Sequence, residues 1–191
     1  LATKAGTVTN AVYGFTSMLT KVLADERPDY VAVAFDAPGG STYRYDLDPD
    51  YKAGRKETPD LFASQLPLIH EVLEALEIPQ LEVPGVEADD VIATLATRAA
   101  DQGIDVVVVT GDRDTFQLVR DPHVKVLYNK RGVSDYALYD EAGIAERTGG
   151  VTPEQYPDYA ALRGDTSDNL PGVPGIGDKT AAKLVTTYGS L

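Results

Sequence analysis

Two apolar runs, each followed closely by acidic residues, constrain the fold of this chain more than any other feature. Residues 30–35 and 104–110 are almost wholly apolar, which is typical of strands buried in a parallel sheet. Asp36 follows the first run, and Asp112 and Asp114 follow the second. Between the two runs, apolar residues recur at helical spacing. This alternation of strand and helix patterns predicts an α/β fold with a mostly parallel sheet flanked by helices.

The remaining periodicity supplies the other elements of the predicted fold. We expect five helices, at 11–24, from Pro59 to about residue 76 with a kink at Pro67, at 91–100, at 153–162 and from 178 onward. We expect further strands at 78–83, at 124–128 and, on an edge, at 136–139. The chain is 43% hydrophobic, which is enough to bury a core.

An acidic cluster opens the third of these helices. Glu87, Asp89 and Asp90 occupy three of four consecutive positions. Their mutual repulsion is costly unless a cation offsets it, and dense oxygen ligands suit Mg²⁺ or Mn²⁺. The alternative is that a first helical turn favours acids because of the helix dipole. That alternative accounts for one or two acids better than for three.

The acids that follow the strands are expected near this cluster. In open α/β sheets the functional crevice lies off the carboxyl ends of the strands, so several such acids converge there. Asp165 and Asp168 are three residues apart and share a face if they lie on a helical turn. For any single Asp the alternative is a turn residue, and for this pair it is an Asx-type turn.

Two segments carry basic residues, although the net charge of −13 argues against nucleic acid for the chain as a whole. In residues 37–56 aromatic rings alternate with cations, which is how single-stranded nucleic acid is held, and a solvated loop is the alternative. Residues 170–184 form a Gly-rich turn ahead of a helix that carries Lys179 and Lys183 on one face. This looks like a helix-hairpin-helix turn, which binds duplex backbone without reading bases.

Composition excludes several classes of protein. Cysteine is absent and there are only two histidines, so disulfides, thiolate zinc sites and cysteine nucleophiles are ruled out. No apolar run approaches a membrane span and no signal peptide is visible, so we expect a soluble, cytoplasmic protein without a membrane partner. No arrangement of Ser or His indicates covalent catalysis.

Five motifs occur in order along the chain: Phe-Asp at 35–36 with Tyr-Arg at 43–44, Tyr-Lys-x-x-Arg at 51–55, Gly-Val-Glu-Ala-Asp-Asp at 85–90, Thr-Gly-Asp-Arg-Asp at 110–114, and Gly-Asp-Thr-Ser-Asp-Asn-Leu-Pro-Gly-Val-Pro-Gly-Ile-Gly at 164–177. Over nearly its whole length the chain resembles the 5′ nuclease (flap endonuclease) domain of bacterial DNA polymerase I. The resemblance implies a PIN-like core at 1–150, with a helical arch at about 37–60. It also implies a helix–three-turn–helix element at 151–191 that binds duplex DNA.

The resemblance also implies roles for the motif residues. Two divalent ions, Mg²⁺ or Mn²⁺, would be held by carboxylates, the first by Asp36, Glu87 and Asp89 and the second by Asp112, Asp114 and either Asp165 or Asp168. Asp90 and the remaining Asp would lie in the outer shell. The catalytic cations that meet the scissile phosphate would be Lys52 and Arg55. The DNA-binding residues would be Arg44, Tyr51, Gly172, Gly175, Gly177, Lys179 and Lys183, with K⁺ on backbone carbonyls of the Gly-rich turn.

The family pattern extends beyond both ends of this sequence. It begins with a strand that ends in a further metal-binding Asp, followed by a Tyr-Arg pair, and it continues past residue 191 with more helix. We therefore expect a fragment that lacks one strand and one ligand, from a monomer with a covalently linked polymerase domain.

The expected function is a metal-dependent 5′-3′ exonuclease and 5′-flap endonuclease that uses two metal ions in replication and repair. Its partner would be DNA with 5′ flaps, nicks or gaps. A non-catalytic module that binds branched DNA is the first alternative, because the fragment lacks a ligand. A PIN-type ribonuclease is the second, and the Gly-rich duplex-binding turn argues against it.

Overall fold

The computed structural model describes residues 1–4, 6–38, 42–55, 59–132 and 135–191. The helices are α1 (Asn10–Glu26), α2 (Tyr43–Leu47), α3 (Asp60–Ala63), α4 (Leu66–Ala75), α5 (Ala88–Ala100), α6 (Glu141–Thr148), α7 (Tyr156–Arg163), α8 (Asp178–Tyr188) and a 3₁₀ helix (Arg113–Leu118). The strands are β1 (Val33–Phe35), β2 (Gln80–Glu82), β3 (Val106–Thr110), β4 (Val124–Arg131) and β5 (Asp135–Tyr139). No helix within the described ranges combines the length and apolar character needed to cross a bilayer.

The strands form two small sheets where the sequence predicted one. β1 pairs in parallel with β2, and β3 pairs in parallel with β4, while β5 runs antiparallel to β4. α5 packs against both β1 and β3 and so spans the two sheets. The α/β class with mostly parallel strands is confirmed, and the carboxyl ends of β1 and β3 lie on either side of one helix.

The two apolar strands are less buried than the sequence suggested. β1 is half-buried throughout, and in β3 only Val108 is buried, while Val107 and Val109 are 39% and 36% exposed. Among the strands of the described ranges, β1 and β3 are both outer strands, and each pairs on one side only. The prediction of fully buried strands was wrong, because an apolar run predicts a strand but not what covers its faces.

Two hydrophobic clusters support the sheets. The larger one lies among α5, β3, β4 and the C-terminal helices around the fully buried Phe116, which contacts the rings of Tyr128, Tyr139 and Tyr156 at centroid distances of 5.1–5.7 Å. The smaller one lies between α1 and α4 around Leu73. Buried aromatic contacts of this kind fix the 3₁₀ helix that follows β3.

The helix predicted from Pro59 is broken in two. α3 ends at Ala63 and α4 begins at Leu66, so the interruption precedes Pro67. A proline ring clashes with the carbonyl four residues earlier, which here belongs to Ala63, whereas a proline in the first turn of a helix costs little. Gln65 fills the break: it is 2% exposed, and its Oε1 accepts the Ala11 N–H at 2.8 Å.

The arch predicted at about 37–60 lies only partly within the described residues. Residues 39–41 and 56–58 are outside them. The described part contains α2 and a series of turns at 49–54, and it packs onto the start of α5 through a hydrogen bond from the Tyr43 N–H to the Gly85 carbonyl at 3.1 Å. The N-terminal half of the arch is thereby anchored beside the predicted carboxylates.

Candidate carboxylate site

The N-terminus of α5 collects three acids whose positions are explained by helix capping. Asp36, at the end of β1, accepts the Ala88 N–H on Oδ1 at 2.8 Å. Glu87 is the N-cap and forms a capping box with Asp90, whose Oδ2 accepts the Glu87 N–H at 2.9 Å. Carboxylates at this end of a helix satisfy unpaired N–H groups and complement the dipole. The helix-dipole alternative therefore applies to Glu87 and Asp90 of the acidic cluster.

Asp90 also forms the strongest ion pair at the site. Its two oxygens accept hydrogen bonds from Nη1 and Nη2 of Arg44 at 2.6 and 2.7 Å. This bond lowers the pKa of Asp90 and raises the pKa of Arg44. The pair holds α2 against α5, so Asp90 positions the arch, and Arg44 is not a free cation in this structure. A direct role for Arg44 in binding DNA stays a prediction.

Asp89 is the acid of this cluster that capping does not explain. It is half-buried, and burial raises its pKa to about 6, with repulsion from Asp112, Asp36 and Glu87 adding to the effect. These contributions show that the acids after β1 and β3 and the acid on α5 lie close enough to repel one another. Asp89 is therefore the carboxylate that would gain most from a bound cation.

A second group of acids follows β3. Asp112 caps the 3₁₀ helix by accepting the Asp114 N–H at 2.9 Å. Asp114 Oδ1 is buried and receives no hydrogen bond from the described residues. Burial raises the pKa of Asp114, and repulsion from Asp112, Asp165 and Asp168 adds to the effect. Since Asp112 repels both Asp89 and Asp114, the two groups adjoin at Asp112.

Asp165 and Asp168 differ in their surroundings. Asp165 Oδ1 accepts the Ser167 N–H at 2.7 Å and the Ser167 hydroxyl at 2.5 Å, which is the Asx-type turn that the sequence left open. Although burial alone would raise the pKa of Asp165, these hydrogen bonds lower it. Asp168 instead contacts arch residues, which are described in the next paragraph. Of the two, Asp168 is the better placed to interact with the first group.

Tyr51 and Lys52 connect the two groups from the arch side. Lys52 Nζ donates to Glu87 Oε1 at 2.7 Å and lies 4.0 Å from Asp168 Oδ1. The Tyr51 hydroxyl lies 3.2 Å from Glu87 Oε2 and 3.1 Å from Asp168 Oδ2. Burial, followed by the charges of Asp168 and Glu87, raises the pKa of Tyr51. The two side chains therefore bring a cation and a phenol proton into the centre of the acids.

Tyr51 was predicted as a DNA-binding residue. The residue is only 6% exposed and its hydroxyl lies within hydrogen-bond distance of Glu87 and Asp168, so its contact with DNA stays a prediction. Lys52 adopts a left-handed backbone with φ of 57°, and its N–H donates to the Asp168 carbonyl at 3.0 Å. Arg55, the other predicted catalytic cation, is exposed. Its role stays a prediction.

The chemistry of these donors fits a hard divalent cation, although no complete site is formed. All the converging ligands are carboxylates, and Asp114 Oδ1 lacks a donor that a cation would replace. Within the described ranges, however, no three acidic or histidine side chains are close enough together to hold one ion. Lys52 and Arg44 already offset the charges of Glu87 and Asp90. Mg²⁺ is usually bound by one or two carboxylates plus water and substrate phosphate, which these acids could provide.

The Gly-rich turn places two glycines in direct backbone contact. Gly172 has φ of 63° and Gly164 has φ of 78°, and a Cβ on Gly164 would lie 2.6 Å from the Leu170 carbonyl oxygen. Gly175 has φ of 82° in open space, and Gly177 caps α8 with nothing near it. Gly172 is thus required by packing. Gly177 accepts the Thr180 and Ala181 N–H groups at the start of α8, and its predicted contact with DNA stays a prediction.

Sequence reasoning missed Arg163. Its side chain is only 9% exposed, with Nη2 3.7 Å from Asp165 Oδ2 and Nε 3.9 Å from Asp178 Oδ1. The guanidinium lies 5.2 Å from the Tyr159 ring centroid. An arginine directly before Gly-Asp at a helix end was the available signal. It links the acids of the second group to the start of α8, where Lys179 and Lys183 are exposed.

Asp89→Asn is expected to stabilise the metal-free chain above pH 6. The Asp89 carboxyl has a folded pKa of about 6 against an ordinary value of 3.8, so its ionised form is disfavoured in the folded state. Its stabilising contribution is complete below pH 4 and is lost as the pH rises through 6. For a fully buried carboxyl, this pKa shift would correspond to roughly 3 kcal/mol of unfolding free energy. Because Asp89 is partly exposed, the expected gain in unfolding free energy for the Asn variant is about 1 kcal/mol.

Urea denaturation in EDTA at pH 7.5 and pH 4 measures this effect. The variant should be the more stable protein at pH 7.5, and the two proteins should converge at pH 4. Equal stabilities at pH 7.5 would show that Asp89 is not crowded by the other acids.

Two protein-family models match consecutive parts of the chain. The model described as "5'-3' exonuclease, N-terminal resolvase-like domain" matches residues 1–149. The model described as "5'-3' exonuclease, C-terminal SAM fold" matches residues 151–191. The acids after β1 and β3 and the start of α5 fall in the first match, and the Gly-rich turn falls in the second.

Curated relatives and solved structures agree with these matches. DNA polymerase I of Mycobacterium tuberculosis is 56% identical over 189 residues, and that of Bacillus caldotenax is 50% identical over 186 residues. The alignments cover 99% and 97% of this chain but only 21% of each relative, so the chain spans about a fifth of their length.

Two structures of bacteriophage T5 proteins share the fold. The T5 5′-exonuclease with bound zinc has a TM-score of 0.77 at 22% identity, covering 93% of this chain and 67% of that one. A T5 flap endonuclease complex with DNA and metal ions has a TM-score of 0.75 at 22% identity, covering 97% and 71%.

Proposed function

Since the chain belongs to the 5′-3′ exonuclease family, with the N-terminal resolvase-like domain followed by the C-terminal SAM fold, we propose that it hydrolyses DNA phosphodiesters at 5′ ends and 5′ flaps. The observation that carries this proposal is the proximity of Asp89 on α5 to Asp112 after β3, since Asp112 raises the pKa of both Asp89 and the half-buried Asp114. Acids that burial and repulsion keep in an unfavourable state are typical of a functional site. No packing role explains Asp89 or the unbonded oxygen of Asp114.

Two divalent ions, when bound, would activate a water and neutralise the charge that develops on the leaving oxygen. Asp89, Asp112 and Asp114 would hold them, with Asp36, Glu87 and Asp168 beside them. The T5 5′-exonuclease binds zinc and the T5 flap endonuclease complex contains metal ions, which supports a metal-dependent reaction here. Mg²⁺ and Mn²⁺ are the ions proposed for this chain, because the donors are all oxygen atoms.

The cations of the arch would act on the phosphate. Lys52 Nζ would exchange its bond to Glu87 for a non-bridging phosphate oxygen once the charge of Glu87 is offset in another way. Arg55, exposed three residues later, would add positive charge to the same group, and such groups stabilise the charge that develops in the transition state. The Tyr51 hydroxyl would keep Glu87 and Asp168 in place while Lys52 moves.

The Gly-rich turn and α8 would hold the duplex. Gly177 accepts the Thr180 and Ala181 N–H groups at the start of α8, and Lys179 and Lys183 are exposed on that helix. Groups of this kind bind phosphates without regard to sequence, so recognition would depend on the shape of the DNA. K⁺ on the carbonyls of the turn is part of the same proposal. We extend it to the whole protein as a DNA polymerase I that uses this chain in replication and repair.

A second candidate function is a module that binds branched DNA without cleaving it. The observation that favours it is the absence, within the described residues, of three ligands close enough to hold one ion. In that case Lys52 and Arg44 would be the permanent counter-ions of the acids, and the chain would need no metal.

Incubation with a labelled 5′-flap DNA separates the two functions. With Mg²⁺ or Mn²⁺ the nuclease should release short products from the 5′ end, and EDTA should stop the reaction. An RNA flap of the same shape should be cleaved more slowly, because the duplex-binding turn is proposed to act on DNA. Binding without products in either metal would support the module, and faster RNA cleavage would contradict the choice of DNA.

A further inference from the structure

A basic cleft lies next to the carboxylate site. It has a volume of about 620 Å³ and forms where the 3₁₀ helix, the end of α6, α7 and α8 meet. The charged residues that line it are Arg113, Arg147, Arg163, Asp178, Lys179 and Lys183. The cleft thus gathers five cations and one acid, in a chain that has 30 acids and 17 basic residues.

The cations of the cleft are not matched by acids. Arg163 is the cleft cation within 4.0 Å of a carboxylate among the described residues, and one of its two partners is Asp178. Asp178 also accepts the Tyr159 hydroxyl at 3.0 Å, so the acid of the cleft is already satisfied. Arg113, Arg147, Lys179 and Lys183 therefore carry positive charge that no described acid neutralises at short range. Such a surface attracts anions.

Arg147 is held in a fixed position in the cleft. Its guanidinium lies 5.3–5.6 Å from the ring centroids of Phe116, Tyr128 and Tyr139, and Nη1 donates to the Tyr139 hydroxyl at 2.9 Å. Cation–π contacts and this bond hold the side chain in place before any ligand binds. The entropic cost of ordering this long side chain therefore arises when the chain folds and not when a ligand binds.

The cleft adjoins the carboxylate site on one side and the Gly-rich turn on the other. Arg113 lies between Asp112 and Asp114 in sequence, and Arg163 contacts Asp165. On the other side, Lys179 and Lys183 belong to α8, which begins at the Gly-rich turn. The cations come from four elements, the 3₁₀ helix, α6, α7 and α8, and such a distribution suits a row of phosphates better than a single small anion.

We propose that this cleft is a second backbone-binding site for duplex DNA, in which Arg113 and Arg147 extend the grip of α8. The inference rests on the proposed function, since it takes the nuclease substrate as its ligand. It assigns to Arg113 and Arg147 a contact with phosphates of the duplex part of a flap substrate. Neither residue takes part in hydrolysis.

The salt dependence of DNA binding tests this site. Each lost phosphate contact should reduce the slope of log K against log salt by about 0.9 and weaken binding by roughly tenfold at low salt. Arg113→Gln and Arg147→Gln should each show both changes for a 5′-flap duplex in EDTA, and little change for a single strand of the same length. Arg98→Gln, an exposed arginine at the end of α5 and outside the cleft, is the matched control.

Arg147→Lys shows whether charge or ring packing is responsible, because it keeps the charge and loses the planar contact. It should retain the slope of the wild-type chain even if its melting temperature falls. The proposed DNA-binding role of the cleft would be rejected if the slopes were unchanged in Arg113→Gln and Arg147→Gln. If both variants also cleaved flap DNA normally at saturating concentration, the proposed nuclease function would stand. Reduced slopes in a chain that cleaves nothing with Mg²⁺ or Mn²⁺ would support the cleft and reject the nuclease.

Discussion

Asp112→Asn is expected to lower the turnover of flap cleavage by about 10²–10³-fold, while the affinity for flap DNA changes by less than about threefold. Asp112 is the one described acid that raises the pKa of both Asp89 and Asp114, so it lies between the two groups of carboxylates. Removing its charge weakens the cation binding of both groups at once. The cations proposed to hold the DNA are elsewhere, on α8 and in the cleft, so binding should persist.

The substitution is chosen so that the fold is retained. Asp112 accepts the Asp114 N–H, and the amide oxygen of Asn can accept the same hydrogen bond. Asp105→Asn is the matched control, because Asp105 lies just before β3 at the opposite end of the strand from Asp112 and contacts His123 instead of the other acids. It should cleave like the wild-type chain.

Single-turnover rates across a range of Mg²⁺ or Mn²⁺ concentrations provide the measurement. If the variant reaches the wild-type rate at any metal concentration, the assignment of Asp112 to the metal site is rejected. If it loses flap binding in parallel with cleavage, Asp112 has a structural role that the geometry does not indicate.

The order of acids along the chain predicted that Asp36, Asp89 and Asp112 would lie near one another, because the carboxyl ends of parallel strands are fixed by topology. Asp36 and Asp112 follow β1 and β3, and α5 begins between the two sheets, as that argument requires. The role of each individual acid could not be predicted from the sequence. Glu87 and Asp90 cap the helix, as the helix-dipole interpretation requires, while Asp89 repels its neighbours, so for Asp89 the metal interpretation stays a prediction.

The arch shows why side-chain direction is harder to predict than position. The alternation of Tyr51 and Lys52 predicted a DNA-facing surface, yet both side chains turn inward to Glu87 and Asp168. Their direction depends on the left-handed backbone of Lys52, a conformation that a non-glycine residue seldom adopts and that local sequence does not reveal. The contact with Asp168 is 116 residues distant in sequence, so no local pattern could indicate it.

The basic cleft could not be predicted from the sequence for a related reason. Arg113, Arg147 and Arg163 are far apart along the chain, and each is isolated among acids or apolar residues. They meet because α6 and α7 pack around Phe116, a contact that depends on the tertiary fold. A net charge of −13 therefore conceals a positive surface, because acids and bases occupy different regions.

Lys52→Met is expected to change the stability, the metal affinity and the turnover of the chain in a combination that no purely structural role explains. The ammonium of Lys52 bonds Glu87 Oε1 at 2.7 Å, and both side chains are nearly buried, at 12% and 13% exposed. Losing one partner of such a pair leaves the other charge uncompensated, so the metal-free chain should lose about 3 kcal/mol of unfolding free energy. Methionine fills a similar volume, which limits the loss of packing.

The same change should tighten metal binding and slow the reaction. Without the ammonium the acids repel one another more strongly, so Mg²⁺ or Mn²⁺ should bind more tightly and restore part of the lost stability. Turnover should nevertheless fall by about 10²-fold, because the cation proposed to meet the phosphate is gone.

Lys21→Met is the matched control for Lys52→Met. Lys21 pairs with Asp25 at 2.6 Å, but both side chains are exposed, so the variant should show almost no loss of unfolding free energy and unchanged cleavage. Urea denaturation with and without metal, metal titration by calorimetry and single-turnover cleavage give the three values. Weaker metal binding in Lys52→Met would mean that the ammonium supports the acids and does not compete with a metal for them. The proposed exchange of Lys52 from Glu87 to phosphate would then be wrong.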